Sequence, residues 1–445
     1  MTTHYDYPHK PPIAAPKPAP VQKDPHKPPV WEPLPVNSLW FTHDPAIFHD
    51  KQTGNYYVYS TDGYCRRSKD MLQWKNIGKV LENIDPQAQE WTGTSNIWAP
   101  DIIYENGEYR LYCSNSSWGS QKSCIFLAVS QNAEGPFTPK GIVFKSDSSV
   151  IVNAIDANIV KDHNTGEHYL VYGSFYDGCY ILKLDKETGF AAEEGTGTCI
   201  CHRPLWTDGS VEGPYITYNP DTDYYYLFVS YGSLHKDYNV RVGRSRNITG
   251  PYYDYNNRVM TDLNDDDCSL GYLLISGYHF DDTKGFMAPG HNSVLHDFDG
   301  SWYLVNHIRP YNFVIGDIPV MQIRRLLWTN EGWPVVSPCP YSGEIIQPVS
   351  KKMIPGRYEK VIFTPLVPQN VINSVPLDIF EDGHFECISI RGTWKLLDSY
   401  SIEFTYGPHK EICKFLPAWD PDYDKPTLCF TGTTNKGICV WGKRR

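Results

Sequence analysis

The chain has 445 residues, 14% of them aromatic and 20% charged, which is longer than one hydrophobic core and typical of a folded, strand-rich protein. A formal net charge of −11 argues against nucleic acid or an anionic membrane as the main partner. No run of 18 apolar residues is present to span a bilayer as a helix.

Residues 1–36 are rich in proline (Pro8, Pro11, Pro12, Pro16, Pro18, Pro20, Pro25, Pro28 and Pro29 among others) with few apolar side chains, and read as an extended, polyproline-like arm without a core. Met1–Tyr5 shows no basic patch leading into an apolar stretch, so no secretory leader is visible.

From residue 37 to 343 one layout repeats five times. Tyrosine-rich strand runs begin near Tyr57, Arg110, Tyr169, Tyr226 and Tyr303, at intervals of 53, 59, 57 and 77 residues. Turn signals such as Asn106-Gly107 and Asp299-Gly300 separate them, and no stretch of helical length with caps is evident. Each run follows, by 12 to 14 residues, a short motif: His43-Asp44-Pro45, Trp98-Ala99-Pro100-Asp101, Ile155-Asp156-Ala157-Asn158, Val211-Glu212-Gly213-Pro214-Tyr215 and Gly290-His291-Asn292-Ser293. A repeated unit of short strands and turns at this period predicts an all-β, five-bladed propeller. The innermost strand of each blade then lines one axis, on which Asp44, Trp98, Asp156, Glu212 and His291 converge. The longer fourth interval holds Asp262 to Phe280, read as a solvated acidic loop at the rim. Residues 344–445 lose the spacing and predict a small C-terminal β-barrel or sandwich, with packing against the propeller as its expected role. The twelve cysteines show no metal-binding spacing and are expected as buried thiols.

Three carboxylates around an axis suit cleavage of a glycosidic bond, which needs a protonated acid at the leaving oxygen and an ionised carboxylate on the other face of the sugar. Asp44, short and fixed by Pro45, is the natural base. Glu212, with its longer reach, is the natural acid, and Asp156 is placed to orient it and raise its pKa by like-charge repulsion. Trp98 offers an apolar face to a sugar ring.

The five motifs in this order resemble glycoside hydrolase family 43, and most of all its endo-acting α-1,5-L-arabinanases. Arg244-Ser245 with Thr249-Gly250-Pro251-Tyr252 is a further similar stretch, and Gly392-Thr393-Trp394 with Val440-Trp441-Gly442 resembles the small barrel of the larger members. The resemblance implies an inverting hydrolase of arabinan or arabino-oligosaccharides, acting as a monomer, with Asp44 as base, Glu212 as acid and Asp156 as modulator. Asn158 and Ser174 join Trp98 as expected substrate-binding residues. A largely water-coordinated calcium ion is implied, with His291 as its protein contact. The substrate class implies secretion, although no leader is visible. An exo-acting α-L-arabinofuranosidase or β-xylosidase on the same scaffold is the alternative, and a non-catalytic carbohydrate-binding propeller the more distant one.

Overall fold

The computed structural model describes residues 41–281, 285–311, 318–367 and 371–445; the Pro-rich arm lies outside the described residues. Five antiparallel sheets stand around a common axis as the blades of a propeller. Their first strands are Ala46–Asp50, Trp98–Glu105, Asn158–Lys161, Val211–Asn219 and Phe286–His296. These touch one another around the axis, which makes them the channel lining. The tyrosine-rich runs are the second strands: Asn55–Ser60, Glu108–Asn115, His168–Tyr172, Tyr224–Tyr231 and Trp302–Pro310.

Second strands are buried on both faces, since each blade packs against two others. That explains why Tyr224–Tyr231 reads as a nearly continuous apolar run and not as an alternating one. Leu111 and Phe126 of blade two meet Tyr57 and Tyr59 of blade one, and each later pair of blades repeats this pattern, down to Leu295 and Val305 of blade five against Ile47 and Val58. The tyrosines add a directional element. Tyr59 of blade one donates to the Ala133 carbonyl of blade two at 2.6 Å, and Tyr112 of blade two to Gly189 of blade three at 3.0 Å. A buried aromatic thus fills the core while its hydroxyl pins the next blade.

Closure between blades five and one rests on Ser293. Its hydroxyl donates to the Pro45 carbonyl at 2.7 Å and accepts the Ile47 N–H at 3.0 Å. Farther out, Asp297 accepts the Tyr56 hydroxyl at 2.7 Å.

The C-terminal strands form a closed eight-stranded barrel, sealed where Gly356–Ile362 pairs with Cys439–Arg444. Phe385, Phe404, Phe415 and Phe430 fill it. Val361, Phe363 and Trp441 leave its wall to enter the core between blades four and five. Ile372–Asn373 pairs in parallel with Tyr278–His279, so the tail also lengthens the sheet of blade five. The two folding units share both a core and a sheet.

Two expectations are corrected. A helix does form, at Pro86–Thr92, with Asp85 accepting the N–H groups of Gln87 and Ala88; seven residues are too few to show an amphipathic period. The stretch from Asp262 to Phe280 is not a solvated rim loop. Its Tyr272–Ile275 is the buried fourth strand of blade four. Asp265 is buried too, accepting from Leu270 N–H at 2.9 Å and from Arg258 at 3.2 Å. Arg258 also faces Asp262 and Asp267, so one arginine gathers three of the four aspartates of the run.

Ser293→Ala removes both buried closure bonds and leaves a carbonyl and an N–H unpaired. The expected loss is about 1–3 kcal/mol, read by urea unfolding; an unchanged midpoint would place closure in apolar packing alone.

Candidate active site

Every blade enters the channel through a left-handed residue. Asp44 (φ 53°), Ala99 (φ 38°), Asp156 (φ 64°), Gly213 (φ 57°) and His291 (φ 46°) occupy matched places at the five mouths. Register slips at Trp98/Asp101, Glu212/Tyr215 and Gly290/Ser293 mark bulges there. A bulge re-aims a side chain out of the pleat, here toward the axis. Asp and His tolerate this conformation better than most residues, yet each such position costs on the order of 1–3 kcal/mol and persists only when its surroundings enforce it.

A ring of hydrogen bonds supplies that enforcement. A residue at the end of each second strand holds the mouth of the next blade. Thr61 accepts the Ala99 N–H at 3.2 Å, Ser114 the Asp156 N–H at 2.9 Å, and Ser230 the His291 N–H at 2.8 Å. Ser174 donates to Glu212 Oε2 at 2.8 Å. His307 Nδ1, accepting the Asp44 N–H at 3.3 Å, closes the circle from blade five to blade one.

The three carboxylates meet different surroundings. Asp44 accepts Thr61 Oγ1 at 2.6 Å and lies 2.7 Å from His43 Nδ1 through Oδ2, while Oδ1 lies 3.2 Å from His291 Nδ1. Burial alone would raise its pKa, but the imidazoles of His291, His43 and His307 outweigh that and hold it well below the usual carboxylate range. Asp156 goes the other way. Burial first, then the charges of Glu212 and Asp44, push its carboxyl well up, against a bond from the Gly213 N–H at 3.1 Å. Of the neighbours Asp156 and Glu212, Asp156 is the more deeply buried. Glu212 is anchored through Oε1 by the Tyr238 hydroxyl at 2.8 Å and through Oε2 by Ser174.

Trp98 is half-buried and stands at the second mouth, next to the Ala99 N–H that Thr61 ties to Asp44. The other two residues expected to bind substrate both have partners within the protein. Asn158 is buried, and its amide is consumed within the protein, donating to Asp101 Oδ2 at 2.9 Å and accepting the Ile216 N–H at 2.9 Å. It ties blades two, three and four together. Ser174 is 3% exposed and positions Glu212. Beside Asp44 opens a cavity of about 390 Å³, lined by His43, Thr61, Trp118, His235 and Arg309 among others. Trp118 is 77% exposed there, its ring 6.2 Å from that of His235, and offers a flat apolar face.

Thr61, Ser114, Ser230, His307 and Tyr238 were not singled out from the sequence. The first four had a usable signal, since each follows its motif residue by 16 to 18 positions, at the end of the tyrosine-rich strand. Tyr238 had none.

Residues 35–334 match the family model described as glycosyl hydrolases family 43, and residues 338–442 match a C-terminal lipocalin-like domain. The chain is 32% identical to an extracellular endo-α-(1→5)-L-arabinanase of Thermotoga petrophila, over 90% of this chain and 93% of that protein. It is 30% identical to extracellular endo-α-(1→5)-L-arabinanase 2 of Bacillus subtilis, over 90% and 92%. The crystal structure of the Thermotoga petrophila enzyme with TRIS superposes with a TM-score of 0.83 at 29% identity, covering 93% of this chain and all of that one. A Cellvibrio cellulosa α-L-arabinanase complexed with arabinohexaose matches with a TM-score of 0.58 at 30% identity, over 66% of this chain and 95% of that one.

The raised Asp156 carboxyl has a consequence for stability. A group whose folded pKa lies above its unfolded value, about 3.9, favours the fold fully below that value and loses this contribution as pH rises. Asp156→Asn cannot ionise, so its thermal midpoint relative to the native protein should climb from pH 4 to pH 7. A pH-independent difference would mean that Asp156 is ionised throughout.

Proposed function

The chain belongs to glycosyl hydrolases family 43 and is a glycoside hydrolase acting on arabinan, and we propose that it cuts internal α-1,5-L-arabinofuranosidic bonds with inversion, using Asp44, Glu212 and Asp156. The observation that carries this reading is the opposite treatment of carboxylates at one channel mouth. Imidazoles hold the Asp44 carboxyl well below the usual carboxylate range, while burial and the charges of Glu212 and Asp44 push that of Asp156 well above it.

In the step proposed, Asp44 takes a proton from water as that oxygen bonds to the anomeric carbon. The carbon–oxygen bond to the departing sugar breaks, and its oxygen receives the proton of Glu212. Asp44 ends protonated and Glu212 ionised, and exchange with solvent restores both. Tyr238 and Ser174 keep Glu212 in place, and Asp156 fixes the Gly213 N–H behind it. Trp98 and Trp118 offer faces for sugar rings.

The donor set also suits the hydrated calcium ion that the resemblance implies. His291 Nδ1 faces Asp44 Oδ1, so a proton there leaves the lone pair on Nε2, the tautomer of a ligating histidine backed by a carboxylate. Among the described residues the one cluster of three possible ligand atoms within 4.8 Å is His43, Asp44 and His307, but these already engage one another. His291 with waters is therefore the site proposed. When bound, the ion would supply positive charge beside the base.

A general acid contributes about 10²–10⁴-fold, most where the leaving group is poor. Glu212→Gln should therefore damage arabinan hydrolysis far more than that of an activated aryl arabinoside, whereas Asp44→Asn should harm both alike. NMR should show the inverted anomer first, and viscosity should fall before much reducing sugar forms. A retained anomer would make Asp44 a nucleophile; early reducing sugar at constant viscosity would make the enzyme exo-acting.

For the ion, chelation should lower activity with the circular dichroism spectrum unchanged, and added calcium should restore it. In His291→Ala most of that sensitivity should vanish. Elemental analysis finding no metal in an active sample would end the idea.

A further inference from the structure

Asp44 and Glu212 belong to blades one and four, which are not neighbours in the ring; blade five stands between them. A file of three rings fills that gap. His43, in hydrogen bond with Asp44, stacks on His307, with centroids 4.4 Å apart and planes 15° from parallel. His307, from blade five, lies 5.8 Å from the ring of Tyr238, with planes 14° from parallel. Tyr238 then donates its hydroxyl to Glu212. We propose that this file of rings is the spacer that sets the separation and facing of base and acid, with His307 as the positioning residue at its centre. The inference rests on the roles assigned to Asp44 and Glu212 above.

Three features favour a spacer over ordinary packing. The file ends on a polar bond to a carboxylate at each end, so any tilt or slip of a ring is passed to a reacting group. His307 is 1% exposed, and its Nε2 has no hydrogen-bond partner among the described residues. Leaving a buried polar atom unpaired is unfavourable, and the position keeps a flat ring in spite of that. Finally, the Tyr238 ring lies tight against the Gly290 backbone. A Cβ at Gly290 would stand 2.0 Å from its ring, so only glycine leaves room for it. Acid and base are thereby held by side chains whose own rotamers are locked, the requirement for catalytic geometry.

The test separates the ring from the polar contact. His307→Phe keeps a flat ring and loses Nδ1; His307→Asn keeps a polar group near the Asp44 N–H and loses the ring. On arabinan, His307→Asn should lose about 10²-fold in kcat with KM within about twofold, the penalty of roughly an ångström of misplacement. His307→Phe should lose about tenfold or less. Crystal structures should show the Asp44–Glu212 separation kept in the Phe variant and changed in the Asn variant. Gly290→Ala tilts Tyr238 from the far end without touching a polar group, and should reproduce the Asn pattern if His307→Asn does not fold. Equal losses in the Phe and Asn variants, or an unchanged separation in the Asn or Gly290→Ala variant, would overturn the proposal. A native enzyme inactive on arabinan would instead sink the functional reading, while the separations measured in crystals would still judge the spacer.

Discussion

The hydrogen bond that each blade extends to the mouth of the next is the constraint on which the site depends. Apolar packing between blades is strong but non-directional, and it tolerates sliding. A Ser, Thr or His side chain aimed at one N–H or one carboxylate oxygen does not. Because the holding residue and the held residue always belong to different blades, assembling the propeller and assembling the catalytic mouth are one event. His307 carries the last link and also stands in the file of rings, so the ring's closure and the acid–base geometry share a residue.

The site's chemistry follows from burying three carboxylates together with unequal company. Charges brought out of water raise their pKa unless a partner intervenes. Asp44 has three imidazoles as company and its carboxyl is held low; Asp156 has two carboxylates and one N–H, and its carboxyl is pushed up. Two carboxyls pushed in opposite directions thus face one channel before any substrate arrives. Neither state is intrinsic to the side chain; each is a property of its neighbours.

Much of this was legible in the sequence, and the limit of legibility is physical. The period of the tyrosine runs and the fixed offset of the motifs exposed the blades, the axis and the five residues that converge on it, because strand length and turn length are local quantities. Asp85 and its seven-residue helix were too short to show a period. The partners of Asp44 and Asp156 lie far away in sequence, His307 263 residues from Asp44 and Ser114 42 from Asp156. Asn158 illustrates the consequence, since nothing near it in sequence shows that Asp101 and Ile216 engage both ends of its amide. The rise of the Asp156 carboxyl comes first from its depth, and depth is not written locally.

The left-handed backbone at Asp44, Asp156 and His291 limits what chemistry these mouths can host. Without glycine's freedom, the small polar residues Asp and Asn, and His, are the side chains that occupy such a conformation most readily. Evolution on this scaffold therefore draws from a short alphabet at three of the five mouths, and a nucleophilic serine or a lysine there would meet a backbone that disfavours it. Alanine scanning inherits the same bias. Replacing Asp44 by alanine removes a base and also sets a residue ill-suited to φ 53° in its place, so lost activity would mix chemistry with distortion. Asparagine, which accepts the conformation, is the substitution that isolates the charge.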